Sequence, residues 1–191
     1  LKGDALLDAV REHDALVVRS ATKVTAEVLG AGTRLRVVGR AGVGVDNIDV
    51  DEATRRGIVV VNSAGASTIA VAEHAFALML ALARNVAPAS AAVARGEWSP
   101  TTFVGTELHG KVLGIVGLGR IGTQVARRAR AFEMRVLAHD PFVSPALAAS
   151  CGAELVELDQ LLAESDVVSL HAPLGTATGG MVDASALSAM K

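Results

Sequence analysis

GLGRIGTQVARRARAFEMRVLAHD, residues 117–140, decides how the rest of the chain is read. It follows the apolar run VLGIV (112–116), so three glycines spaced G-x-G-x-x-G stand where a strand gives way to a helix. Gly117 permits the tight turn, Gly119 lets a pyrophosphate approach the backbone, and Gly122 lets the helix close on the strand. Ile121, Val125, Ala129 and Phe132 recur along one helical face, which predicts that this face is buried. The first amides of such a helix, with its positive dipole end, suit phosphate. Asp140 arrives eighteen residues after Gly122, at the end of the next strand, where a carboxylate accepts hydrogen bonds from the adenosine ribose. A 2′-phosphate there would meet like charge. At ~4 Å and an effective dielectric of roughly 20 the pair costs about 4 kcal/mol, on the order of a thousandfold in affinity. Pro141, Phe142 and Val143 supply no base to offset it. The stretch predicts a site for NAD.

Working outward, apolar runs of strand length alternate with helical periodicity, which predicts an α/β fold of doubly wound parallel sheets. Downstream, strands are expected at 112–116, 134–139, 153–156 and 166–170, and helices at 120–132, 144–150, 158–164 and 183–190. Upstream, strands are expected at 14–18, 35–39 and 58–61, and helices at 3–12, 24–31 and 49–56. Residues 67–84 form one long helix too apolar for a solvated surface. Residues 86–110, with two prolines, three glycines and the only Trp, lack clean strand periodicity and read as a connecting arm that packs against something. The expected division is a first domain over 1–66 and a second over 67–191.

Of the 191 residues 51% are hydrophobic, enough for one sizeable core or two modest ones. A net charge of −2 argues against a nucleic-acid surface or a basic membrane-binding face. The most apolar run, 69–83, is interrupted by Glu73 and His74 and reads as a buried helix rather than a span. The single cysteine, Cys151, excludes an internal disulfide, reads as a buried thiol and suits a reducing, cytoplasmic setting. No metal-ligand set is expected. Leu1 falls inside one helical pattern and Lys191 at the end of another, so the chain reads as a fragment.

Arg19 and Arg40 each stand just past the carboxyl end of an expected strand, the edge where open parallel sheets bind ligands. Gly42-Val43-Gly44 follows, a loop whose amides suit an anion nest. Guanidinium pairs bidentately with carboxylate or phosphate, so this edge predicts a small anionic substrate. Among the histidines, His13 and His109 read as surface, and His74 as a core residue of the long helix. His139 precedes Asp140 and reads equally as an adenosine neighbour or as filler. His171, in His171-Ala172-Pro173 after the fourth strand of the second domain, reads as lining the cofactor edge rather than titrating.

Over nearly its whole length the chain resembles the D-isomer-specific 2-hydroxyacid dehydrogenases. The resemblance is carried by VVRSATKVTAEVL (17–29), VVGRAGVGVDNIDVDEATRRGIVVVN (37–62), FVGTELHGKVLGIVGLGRIG (103–122) and HDPFVSP (139–145). RSATKVT, RAGVGVDN and FVGTEL point to the branch that oxidises 3-phosphoglycerate to 3-phosphohydroxypyruvate in serine biosynthesis. The resemblance implies a partial flavodoxin-like substrate domain joined to an NAD-binding Rossmann domain truncated at its C-terminal side. It implies that Arg19, Ser20 and Arg40 contact the substrate's anionic groups and that the Gly42–Gly44 amides hold its carboxylate, with Val43 also beside the cofactor. Arg120 and Ile121 are assigned to the pyrophosphate, Asp140 to the ribose, and Ala172 and Pro173 to the nicotinamide side. Ser67 joins the substrate set where the family often has Asn, and Ala172 stands where it often has Thr. Residues 67–110 are implied as the contact of a homodimer or dimer-based oligomer. The family's catalytic Arg, Glu and His are expected beyond Lys191, leaving no catalytic residue within the chain. SPTT (99–102) stands where the arm usually carries Arg or Lys. A hydroxypyruvate or glyoxylate reductase, or a non-enzymatic NAD(H)-sensing corepressor-like protein, are the competing readings.

Overall fold

The structure, a computed structural model, describes Leu1 and Gly3–Lys191. The chain divides into two compact units, Leu1–Ser67 and Thr68–Lys191.

In the first unit α1 (Asp4–Arg11), β1 (Ala15–Val18), α2 (Ala26–Ala31), β2 (Val37–Arg40), α3 (Val50–Arg55) and β3 (Val59–Asn62) follow one another. The strands form a parallel sheet in the order β1-β2-β3. Helix starts are written locally, as where the Asp49 carboxylate accepts the Glu52 amide at 2.9 Å and caps α3. Val18 and Val38 point into a core made with Leu6 and Val10 of α1, Val28 and Leu29 of α2 and Ala53 of α3. Side chains alternate across a strand, so Val17, Val59 and Val61 fall on the other face, where they are exposed. The helices of this unit thus cover one face of its sheet. Glu52, only 8% exposed, is held by Arg55 at 2.6 Å and Arg56 at 2.5 Å.

The second unit opens with α4 (Thr68–Ala83) and α5 (Val86–Ala94), bent by 65° through Asn85, then a 3-10 turn, Pro100–Phe103. The arm is therefore partly helical, a helix that its reading as a connecting arm did not anticipate. Pro88 lies in the first turn of α5, where a missing N–H costs nothing, and the alanines that follow favour helix. β4 (Val112–Val116), α6 (Arg120–Ala131), β5 (Arg135–His139), α7 (Pro145–Cys151), β6 (Glu154–Leu155), α8 (Leu158–Glu164), β7 (Val167–Leu170) and α9 (Ala184–Ala189) complete it. The strand order β6-β5-β4-β7 is that of a dinucleotide-binding half-sheet, all parallel. Leu113 and Ile115 pack on α4, α6 and α7, while Val116 and Leu137 pack on Leu161 and Leu162 of α8, so both faces are covered. Cys151 is buried in the first of these layers, its thiol donating to Ala148 O.

On α4 the buried stripe is Ala72, Phe76 and Met79, with Phe76 stacked on Phe132 at 5.1 Å. His74 lies two residues, or about 200°, from Ala72, and is exposed rather than part of the core. Ile69, Val71, Leu78 and Leu82 are exposed as well, with Val86, Val93, Trp98 and Val104 on the arm. No single helix among the described residues is long and apolar enough to cross a membrane.

Candidate functional site

The second unit builds its site around the turn between β4 and α6. Gly117 has φ +90°, and a Cβ there would lie 2.7 Å from Ala172 N and 2.8 Å from His171 C. The glycine is required twice over, by its backbone and by the β7 loop lying against it. A Cβ at Gly122 would run into the Gly117 carbonyl oxygen, so α6 reaches the turn only because Gly122 has none. Nothing lies within 4 Å of the Cβ position of Gly119, whose exposed backbone caps α6. Arg120 and Ile121 are its first helical residues, where amides have no partner within the helix. The open approach at Gly119 and the amides behind it fit a pyrophosphate.

Asp140 closes the turn from the β5 side. Its Oδ2 accepts the Leu118 amide at 2.8 Å and its Oδ1 accepts the Phe142 amide at 2.9 Å. Each oxygen keeps a lone pair for a ribose hydroxyl. Two cavities share His139, Asp140 and Pro141. One of about 460 Å³ runs past Leu155, Val156, Glu157 and Gln160. The other, about 280 Å³, runs past Gly117, Gly119, Phe142, His171, Ala172, Pro173 and Met181. His139 bonds Val156 O at 3.1 Å. His171 pairs with Ser169 Oγ at 2.9 Å, and burial holds its imidazole below the ordinary histidine value. Phe142, 96% exposed at the rim, and Met181 were not read as site residues from the sequence. An apolar residue two positions past the ribose carboxylate was the available signal for the first, and none marked the second.

The first unit gathers Arg19, Ser20, Arg40 and Gly42–Gly44 at the carboxyl edge of β1 and β2. Ala41 N–H donates to Val18 O at 2.9 Å, joining the two strand ends. Arg19 and Ser20 are exposed. The Arg40 guanidinium folds back over Gly42, filling the space where a Cβ would be, and its Nε is buried without a hydrogen-bond partner. Of the three glycine-loop amides, Gly42 N–H is already spent on Arg40 O at 2.9 Å. Those of Val43 and Gly44 donate to no protein acceptor among the described residues. Two asparagines tie this edge together. Asn47 Nδ2 donates to Arg19 O at 3.0 Å and Thr22 O at 2.6 Å, and Asn62 Nδ2 donates to Val43 O at 2.6 Å. Ser67, half-buried, ends the unit and makes no hydrogen bond to this group among the described residues.

A parallel half-sheet with a glycine turn between its first strand and helix, and a carboxylate closing that turn from the next strand, defines a dinucleotide-binding fold. Residues 76–191 match the family model described as D-isomer specific 2-hydroxyacid dehydrogenase, NAD binding domain. The chain belongs to the D-isomer-specific 2-hydroxyacid dehydrogenase family, and the cofactor of its second unit is NAD. It is 51% identical to the D-3-phosphoglycerate dehydrogenase of Archaeoglobus fulgidus, over 98% of this chain and 36% of that protein. The Mycobacterium tuberculosis H37Rv protein of the same name is 52% identical over the same shares. Among solved structures, a D-lactate dehydrogenase from Aquifex aeolicus complexed with NAD and lactic acid superposes with a TM-score of 0.89. It is 34% identical, over 97% of this chain and 56% of that one. The chain spans about a third of the length of the curated relatives it matches.

Proposed function

We propose that the protein carrying this chain oxidises 3-phosphoglycerate to 3-phosphohydroxypyruvate, supplying serine biosynthesis in the cytoplasm. The observation that carries the reading is the edge of the first sheet. Two arginines and two unpaired amides, from Val43 and Gly44, stand together at the end of adjacent parallel strands. That set suits a substrate with two anionic groups. The relatives' shared name adds the phosphate-bearing acid as the one expected there.

Bound NAD supplies the hydride acceptor. The glycine turn and the α6 amides hold the pyrophosphate, Asp140 the ribose, and Ala172 and Pro173 wall the nicotinamide side. Arg19, Ser20 and Arg40 fix the substrate's anionic groups, with Val43 in the loop beside them. The alcohol loses a hydride from carbon and a proton from oxygen, so a positioned base is needed. His171 answers to a serine hydroxyl, and no carboxylate orients it among the described residues. The family resemblance assigns the base, with an Arg and a Glu beside it, to positions outside residues 1–191. The exposed apolar residues of α4 and the arm form the contact of a homodimer.

A second reading, a hydroxypyruvate or glyoxylate reductase, is favoured by SPTT (99–102), which offers no basic side chain for a phosphate. Steady-state kinetics of the full-length protein with NAD and 3-phosphoglycerate, D-glycerate and D-lactate separates the two. The proposal expects the highest kcat/KM on 3-phosphoglycerate. Preference for D-glycerate replaces it with the second reading, and no turnover of any acid removes both.

A further inference from the structure

The free amides of the loop after β2 have a cause, and it lies on β3. Ser63 N–H donates to Gly42 O at 3.1 Å, and Asn62 Nδ2 donates to Val43 O at 2.6 Å. Two successive carbonyls of the loop are thus taken by the end of one strand. A trans peptide unit is planar, with its C=O and N–H directed oppositely. The unit joining Gly42 to Val43 therefore turns the Val43 amide away from β3, and the next unit does the same for Gly44. Adjacent amides turned to one side make an anion-binding nest. The first carbonyl is held by a backbone amide that any non-proline residue supplies. The second depends on one side chain. The peptide it holds ends at Gly44, which has no Cβ to resist rotation.

We propose that Asn62 is a positioning residue for the substrate: by holding the Val43 carbonyl it aims the Gly44 amide at the carboxylate of the hydroxy acid. This rests on the reading of the loop as the substrate-carboxylate site. Asn62 pairs in register with Arg40 across β2 and β3, and Ser63 N–H also reaches Arg40 O at 3.3 Å. The same strand end therefore sets both the arginine's backbone and the nest. Alanine at 62 releases the Val43 carbonyl, and aspartate repels it.

The test compares full-length wild type, Asn62→Ala and Asn62→Asp on whichever 2-hydroxy acid the wild type oxidises fastest. Losing an aimed amide weakens ground and transition states alike, so KM for the acid is expected to rise about tenfold or more. A kcat within about twofold of wild type is expected with it, along with unchanged NAD affinity by calorimetry and unchanged Tm. A merely structural Asn62 would lower Tm and disturb both ligands. That pattern, or an unchanged KM in both variants, overturns the proposal. The underlying reading fails on other variants: unchanged KM in Arg19→Ala and Arg40→Ala removes this edge as the substrate site. A wild type fastest on another acid revises the substrate alone, and the Asn62 comparison then proceeds on that acid.

Discussion

The Leu118 amide donates to Oδ2 of Asp140 at 2.8 Å, so the carboxylate proposed to hold the ribose also holds the glycine turn. Two functions therefore rest on one side chain. Removing it should not simply open the site to NADP. Asp140→Ala is expected to lower NAD affinity by roughly ten- to a hundredfold, as loss of hydrogen bonds to a charged group does. NADP affinity should recover by less than the charge argument alone allows, because the turn that holds the pyrophosphate slackens. Asp140→Asn keeps an acceptor for Leu118 and should bind NADP better than the alanine variant does. Calorimetric titration of the three full-length proteins with both cofactors checks the order, and an alanine variant binding NADP at least as well as the asparagine variant contradicts it.

Arg40 should not tolerate lysine. Its guanidinium lies against Gly42 with Nε buried and unpartnered. An ammonium point charge offers neither the fork nor the reach along that surface. Arg40→Lys and Arg19→Ala are each expected to cost about tenfold or more in kcat/KM for the hydroxy acid, with NAD affinity intact. Steady-state kinetics reads the result, and wild-type values for both variants remove the two arginines from the site.

The apolar residues of α4 and the arm predict self-association. Leu82, on a helix whose opposite stripe already packs on α6, is 80% exposed, and Trp98, on the arm after α5, is 82% exposed. Sedimentation velocity of the full-length protein should show a dimer, and Leu78→Glu with Leu82→Glu should shift it towards monomer. The Trp98 contribution to the emission of the full-length protein, read as the difference from a Trp98→Phe variant, should move to longer wavelength as the dimer dissociates. A wild-type monomer at tens of micromolar would contradict the assignment.

His171 gives the fold a pH dependence of known sign. Burial lowers its folded pKa, while the unfolded chain titrates near ~6.5. Between those values the unfolded state holds the extra proton, so stability rises with pH. The contribution is fully present above the unfolded value and is lost as pH falls through the folded one. Tm of the full-length protein is expected to drop between pH 7 and pH 5, and His171→Gln should flatten the drop. An equal slope in wild type and variant would assign the dependence elsewhere.

Much of this was legible before the structure. The strands announce themselves as short apolar runs, and the glycine turn, Asp140 and the strand-end arginines follow from position along the chain. The misses have physical reasons. Pro88 looks like a breaker unless the first helical turn is known to leave its N–H unused. His74 sits in an apolar helix, but burial there follows one stripe and not the average hydropathy. The asparagines are the deeper case. Asn62 reaches Val43 across nineteen residues and Asn47 reaches Arg19 across twenty-eight. Neither contact leaves a local pattern, because only the parallel sheet brings the loops together. The spent amide of Gly42 was equally invisible, since a nest written in glycines does not say which N–H is free.

The central proposal is that Asp140 and the glycine turn hold NAD and that the protein uses it to oxidise 3-phosphoglycerate. It is tested most directly by following NADH or NADPH formation from 3-phosphoglycerate by the full-length protein, with NAD and NADP side by side. The account predicts turnover with NAD, and a kcat/KM for NADP lower by on the order of a thousandfold. Equal use of the two cofactors, or no reduction of NAD by 3-phosphoglycerate, would contradict it.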